Sequence, residues 1–244
     1  MDAVTVQGLN KTFKAGFFMK KVHVLKDVSF SIRSQHTYGF VGNNGSGKTT
    51  TIKGILQFIK PDSGEVKFFG EPLSIRNKKR IGYLPERPYL YEFLSAMEFL
   101  EFHWSLTYDS KKFFKDRAHE TLKRVGLFDA KDRRLRTFSK GMLQRVGLAQ
   151  AILHEPELLI LDEPMSGLDP DGRIIVKEIL RDQQKQGRGI FFSSHLLEDM
   201  EQLCSHLVVI HKGEIIYQGS IDTVMKDQKS LEEAFKELKL RGTS

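Results

Sequence analysis

Between Gly42 and Thr50 the chain reads GNNGSGKTT, and Gly42, Gly47, Lys48 and Thr49 satisfy the pattern G-x-x-x-x-G-K-[ST]. The chemistry those residue types support at that spacing is capture of a nucleotide's phosphates. Glycines let the backbone bend so that several N–H groups point inward at phosphate oxygens. Lys48 brings a positive charge to the β- and γ-phosphates, and Thr49 is expected to hold Mg²⁺. The nucleotide contacts expected along the loop are Asn43, Asn44, Gly45, Ser46, Gly47, Lys48, Thr49 and Thr50. A second group lies far downstream, where the apolar run Leu158-Leu159-Ile160-Leu161 ends in Asp162-Glu163-Pro164. If that run is a strand of a parallel sheet, ligands bind beyond its carboxyl end, and both carboxylates emerge beside the phosphate loop. Asp162 then suits a water-mediated contact with Mg²⁺, and Glu163 suits polarising an attacking water. Asp-Glu-Pro also serves as a plain helix cap, so the pair gains weight only from its neighbours.

The elements needed to position these residues can be read around them. Thr37 to Val41 is a buried strand before the loop, and Thr50 to Ile59 follows it with apolar residues at helical spacing. Strand, glycine loop, helix is the order the motif requires. Upstream, Val4, Val6 and Leu9 alternate, as do Val28, Phe30 and Ile32, which predicts half-buried antiparallel strands. Between them Lys14 to Lys21 predicts a hairpin tip carrying Phe17, Phe18 and Met19. Pro61-Asp62-Ser63-Gly64 is turn chemistry, Glu65 to Phe69 a short strand, and Gly70-Glu71-Pro72 its end. From Tyr91 to about Gly126 the spacing turns helical, with Phe93, Met97, Leu100 and Trp104 on one face and Phe114, Ala118, Leu122 and Val125 on another. This predicts a helical lobe, roughly residues 88–153, inserted between strands, with Lys131 to Arg136 as an exposed charged loop. Beyond it the chain alternates: helix at 144–153, strand at 158–161, helix at 173–184, strand at 189–192, helix at 196–203 and strand at 207–210. A hairpin through Lys212-Gly213 follows, and a last helix sets Leu231, Ala234, Phe235 and Leu238 on one face. The fold class expected is α/β, a mostly parallel sheet core with an N-terminal antiparallel β subdomain and an inserted α-helical lobe, all one domain over 1–244.

Composition narrows the classes. No apolar stretch approaches the roughly 18 residues needed to cross a bilayer. The single cysteine, Cys204, allows no internal disulfide, and the N-terminus reads as strand, not as a secretory signal. The expected location is therefore the cytoplasm. A net charge of +7 suits work beside an anionic surface, although an excess of this size is as often a solvated face.

Three further groups complete the pattern: Ser139-Lys140-Gly141-Met142 at a helix start, Ser166-Gly167-Leu168-Asp169 after the acidic pair, and His195 just past a strand. With them the chain resembles, along nearly its whole length, the ATPase subunit of ATP-binding-cassette (ABC) transporters, a P-loop NTPase fold. By that resemblance Gly42 to Thr49 is the Walker A loop, Leu158 to Asp162 the Walker B strand and Glu163 the catalytic glutamate. Ser139 to Met142 is the signature motif, Ser166 to Asp169 the D-loop and His195 the switch histidine. Phe13 is the aromatic that stacks on adenine, with Phe17 or Phe18 as alternatives. Two departures stand out. The signature has SKGM where much of the family has SGGQ, and Glu86 occupies the Q-loop position where most members carry glutamine. A glutamate cannot face the γ-phosphate bare; it either reaches Mg²⁺ or turns to a basic group of a partner.

The resemblance implies an ATP- and Mg²⁺-dependent ATPase whose site is shared. Lys48, Thr49 and Asp162 of one subunit bind ATP, and Ser139 and Gly141 of a second subunit, identical or homologous, cover the γ-phosphate. It implies a transmembrane permease partner at the cytoplasmic face of the membrane, with the lobe around Glu86 passing on the motion, and no nucleic acid. The two departures, and a chain that ends soon after its last helix, favour an exporter. A non-transport ABC protein acting as an ATP-gated interaction partner is the alternative, although this chain has neither a second cassette nor a long coiled coil. A GTPase or small-molecule kinase is disfavoured, since no N-K-x-D motif is present.

Overall fold

The structure, a computed structural model, describes residues 1–15, 20–108, 110–226 and 228–241. Alternation in the N-terminal segment becomes an antiparallel pair. β1 (Asp2–Ala15) runs against β2 (Lys20–Arg33), setting Val4 opposite Ile32, Val6 opposite Phe30 and Leu9 opposite Val28, and all six side chains are buried. The expected tip residues Phe17, Phe18 and Met19 lie outside the described residues. On the other side of β1, β4 (Ser63–Phe68) pairs antiparallel, and β5 (Glu71–Pro72) pairs with β4, giving the order β2-β1-β4-β5. Gly70-Glu71-Pro72 was expected to end the strand. It instead turns back on it, because Phe69 and Gly70 both take positive φ, 53° and 85°, and reverse the chain within two residues.

The second sheet is made of apolar runs without alternation, the pattern of strands covered on both faces. β3 (Thr37–Val41), β6 (Ile81–Leu84), β7 (Leu158–Leu161), β8 (Gly189–Ser193) and β9 (His206–His211) are parallel. β10 (Glu214–Ser220) adds antiparallel at the edge, in the order β10-β9-β3-β8-β7-β6. The Lys212-Gly213 turn joining β9 to β10 has φ of 47° and 87°, which suits a two-residue hairpin. β6 was not expected: Gly82 interrupts its apolar run, unlike the unbroken run of β7, and its pairing with Leu158–Leu161 defines it. Successive residues of β7 point to opposite faces. Leu158 and Ile160 pack with the antiparallel sheet and α1 (Lys48–Ile55), while Leu159 and Leu161 pack with the helices on the other side.

Those helices are α3 (Ala96–Thr107), α4 (Phe114–Arg124) and α5 (Lys140–Ile152), all between β6 and β7, together with α6 (Pro170–Lys185), α7 (Leu197–Leu203), α8 (Ile221–Met225) and α9 (Leu231–Arg241). A one-turn helix α2 (Ile75–Lys78) precedes β6. The end of α1 and the start of α3 differ from expectation for local reasons. α1 stops at Ile55, with Gln57 at φ 59°, so Ile59 is outside it. α3 starts later than the apolar spacing suggested because Ser95 caps it: its Oγ accepts from Glu98 N at 3.2 Å, and Glu98 Oε2 accepts from Ser95 N at 2.7 Å. Phe93 therefore sits in the turn before the helix, 68% exposed, and is not part of its buried face. In Lys131 to Arg136, expected as an exposed loop, Leu135 is fully buried and Arg134 pairs with Glu98 at 2.5 Å. Among the described residues no helix is long and apolar enough to cross a membrane.

Candidate functional site

The loop between β3 and α1 is forced by its glycines. A Cβ on Gly42 would lie 2.4 Å from Ser46 Oγ and 2.5 Å from Ile210 O, and Gly47 takes φ 111° with Leu25 and Val24 O close by. The loop thus wraps tightly on β2 and β9, while Asn43, Asn44 and Gly45 stay exposed at its crest. Lys48 lies beneath, 8% exposed, donating from Nζ to Gly42 O at 2.7 Å and Asn43 O at 3.4 Å. Burial pushes its ammonium below the usual lysine range, opposed in turn by the charges of Glu163, Asp162 and Glu86. Three carboxylates from two separate segments therefore act on one lysine, which is how the sheet gathers residues far apart in sequence.

The acidic pair leaves the carboxyl end of β7, as expected. Asp162 is 1% exposed; its Oδ1 accepts from Ser193 Oγ at 2.6 Å, and its Oδ2 is buried with no hydrogen-bond partner. Ser193 Oγ in turn accepts from Glu163 N at 2.9 Å. Glu163 O accepts from Ser166 N at 3.0 Å and from Gln144 Nε2 at 3.3 Å, which holds Glu163 at φ 51°, a left-handed conformation uncommon outside glycine. The pair is no helix cap. Glu163 Oε2 lies 2.8 Å from His195 Nδ1; the carboxylate accepts that ring N–H and leaves Nε2 unengaged by it. Ser193 and Gln144 were not picked out from sequence: a serine after an apolar strand and a glutamine inside a helix have no spacing signal. Only the "SSH" run before His195 placed Ser193 near chemistry at all.

Glu86 follows β6, and a cleft of about 520 Å³ brings it together with Thr49, Asp162, Lys53, Arg87, Tyr83 and Tyr89. Burial, then Asp162 and Tyr89, raise the Tyr83 phenol above its usual range, so it remains a neutral hydroxyl. The unsatisfied Asp162 oxygen, the Thr49 hydroxyl and the Glu86 carboxylate form an all-oxygen set suited to a hard divalent cation. Mg²⁺ is the hard cation such a set suits, since it keeps waters and phosphate oxygens in its shell and needs few protein ligands. Beside this cleft stands an aromatic shelf. Tyr89 is 92% exposed, and Tyr91 packs tilted against Phe93 (5.9 Å between ring centres) and edge-on against Phe102 (5.3 Å).

Other expected residues stand apart. Ser139 caps α5, its Oγ accepting from Met142 N at 3.2 Å, and neither it nor Gly141 lines the clefts beside the phosphate loop. They adjoin the Ser166–Asp169 turn instead: Gly141 faces Leu168, and the Lys140 side chain lies across Gly167. Phe13 sits on β1 opposite Val22, 37% exposed, with Lys11 Nζ 5.4 Å from its ring. Val24, two residues along β2, is where Gly47 packs, so the strand pair carries Phe13 toward the side of the loop.

Residues 25–166 match the family model described as ABC transporter. An uncharacterized ABC transporter ATP-binding protein of Nostoc sp. is 43% identical over 94% of this chain and 70% of its own length. Bacitracin transport ATP-binding protein BcrA of Bacillus licheniformis is 41% identical over 84% of this chain and 68% of its own. A solved structure described as the ATP binding subunit of an ABC transporter superposes with TM-score 0.86 at 31% identity, covering 97% of this chain and 99% of that one.

Proposed function

We propose, from the premise that this chain belongs to the ABC transporter ATP-binding family, that it is an ATPase motor subunit that closes on a second such subunit around ATP and drives a separate membrane permease. The observation that carries the reading is the buried, unpartnered Oδ2 of Asp162, a residue that lines the cleft with Thr49 and Glu86 and adjoins the Glu163–His195 pair. A buried carboxylate oxygen without a donor is costly unless a cation meets it.

In the proposed reaction ATP lies along Asn43 to Thr50 with its phosphates on the loop N–H groups, and the adenine stacks on Phe13. Lys48 exchanges its bonds to Gly42 O and Asn43 O for phosphate oxygens, a swap of neutral acceptors for charged ones that favours binding. Thr49, Asp162 and Glu86 would hold Mg²⁺, which when bound offsets the charge of the β- and γ-phosphates. Glu163 accepts a hydrogen bond from the attacking water and orients it. His195 stays anchored to Glu163 through Nδ1 and presents Nε2 to the γ-phosphate, to which it donates as the imidazolium, with a proton on each ring nitrogen. Because Ser139 and Gly141 lie away from the loop of their own chain, they cover the ATP of the partner subunit, with the positive end of α5 aimed at the γ-phosphate.

Transport is supported by the 41% identity to a bacitracin transport ATP-binding protein, and export by the Lys140 and Glu86 departures from the family pattern. The aromatic shelf beside Glu86 supports a permease partner, since exposed apolar patches of this kind mark contact sites. Glu163→Gln tests the shared site: it should bind Mg-ATP, stop turning over, and elute as a dimer in size-exclusion chromatography. A variant that stays monomeric with ATP bound would overturn the closing of two subunits.

A further inference from the structure

Asp199 on α7 is a carboxylate with no exposure that the chemistry above does not use. Its Oδ1 and Oδ2 accept from Arg173 Nη2 at 3.0 and 2.8 Å, and Lys177 Nζ lies 2.9 Å from Oδ1. Lys177 Nζ also donates to Gln202 Oε1 at 2.7 Å, one turn further along α7. Arg173 and Lys177 are four residues apart on α6, so both project from one face of that helix toward α7.

What the triad joins gives it its interest. α6 continues from the Ser166–Asp169 turn: Asp169 caps it, accepting from Gly172 N at 2.9 Å, and Asp169 O accepts from Arg173 N at 3.0 Å. α7 begins two residues after His195. One buried carboxylate thus locks the helix that follows the Ser166–Asp169 turn to the helix that follows His195. An apolar contact would hold two helices together as well as a buried ion pair does, because desolvation consumes most of the attraction. What two cations on one carboxylate add is a fixed register, since a slide along either helix would strand a buried charge.

We propose that Asp199 is a positioning residue for ATP hydrolysis: through Arg173 and Lys177 it sets His195, and with it Glu163, relative to the Ser166–Asp169 turn. This rests on the reading of His195 as a γ-phosphate partner, and it adds that the two motifs move as one body. The expected signature is kinetic. Asp199→Asn should lower kcat by roughly 10-fold or more through misplacement of His195, while KM for ATP, set by the loop of residues 42–50, stays within about 2-fold.

The test is a double-mutant cycle on the full chain. His195→Ala alone should lower kcat by about two orders of magnitude, and adding Asp199→Asn should lower it no further. If the two losses multiply, Asp199 does not act through His195 and the proposal fails. An unchanged kcat in His195→Ala would overturn the reading of His195, and the positioning role with it. Arg173→Gln, at the partly exposed end of the triad, serves should Asp199→Asn not fold, and Arg173→Lys should recover most of the lost rate. A Tm drop in these variants with unchanged kcat per folded molecule would leave only a structural ion pair and refute the proposal.

Discussion

The Ser193 hydroxyl does two things within one 3 Å sphere: it donates to Asp162 Oδ1 and accepts from Glu163 N. It thereby fixes the Asp162 carboxylate, leaving its second oxygen free, and holds Glu163 in its left-handed conformation. Ser193→Ala leaves a buried N–H and a buried carboxylate oxygen without partners, at a cost of about 1–3 kcal/mol. It should also lower kcat by roughly 10- to 100-fold, as loss of an outer group orienting a ligand does at metal sites. Steady-state ATPase rates and a denaturant melt measure the two effects, and a loss of stability with an unchanged rate would remove Ser193 from the site. Lys48, Asp162, Glu163 and His195 were legible in the sequence because each belongs to a run whose types and spacing carry meaning. Ser193 was not, because its role exists only where β7 and β8 lie side by side, 30 residues apart in the chain.

At the scale of the element, α5 illustrates how one residue serves both fold and chemistry. Ser139 is its N-cap, and a helix without that acceptor loses about 1 kcal/mol. In the proposed dimer the same hydroxyl meets the partner's γ-phosphate, so Ser139→Ala mixes the two losses. Ser139→Asp separates them. Aspartate caps as well as serine does, and stability should stay within a few tenths of a kcal/mol of the parent. A carboxylate about 4 Å from a phosphate charge is repelled by roughly 4 kcal/mol at an effective dielectric of 20, so ATP-driven dimerisation should vanish. Thermal melts and light scattering with Mg-ATP read the two separately; dimers formed normally by the Asp variant would argue against the trans contact. Elements whose apolar run is long enough were visible beforehand, as β3, β7 and β8 show with every residue buried. β5 and β6 were not, because two residues have no pattern and Gly82 breaks the apolar run of the other, and α3 was read too early because a capping serine outranks an aromatic at helical spacing.

For the molecule as a whole, Glu86 shares the cleft at the end of β6 both with Thr49 and Asp162 and with the exposed Tyr89, which stands two residues before Tyr91 of the aromatic shelf. The family resemblance points Glu86 to the metal, since the matching glutamine does that work, with a partner contact as the alternative, because no spacing rule says which way a side chain after a strand will turn. The geometry favours the metal: Glu86 shares its cleft with both other oxygen ligands, and its charge is felt by Lys48. Glu86→Gln removes a formal charge from a Mg²⁺ shell, so the isolated subunit should need more Mg²⁺ both for half-maximal hydrolysis and for binding a fluorescent ATP analogue. Tyr91→Ser with Phe93→Ser alters only the shelf, and surface changes of this kind move stability by about 0.5 kcal/mol or less. That double variant should keep the parent's Mg²⁺ midpoint and ATPase rate as an isolated subunit, and lose co-purification with the permease. The two variants therefore divide the cleft between them. If Glu86→Gln leaves both Mg²⁺ midpoints unchanged and instead loses the permease, Glu86 belongs to the partner contact, and the free oxygen of Asp162 meets the cation with Thr49 and the phosphates alone.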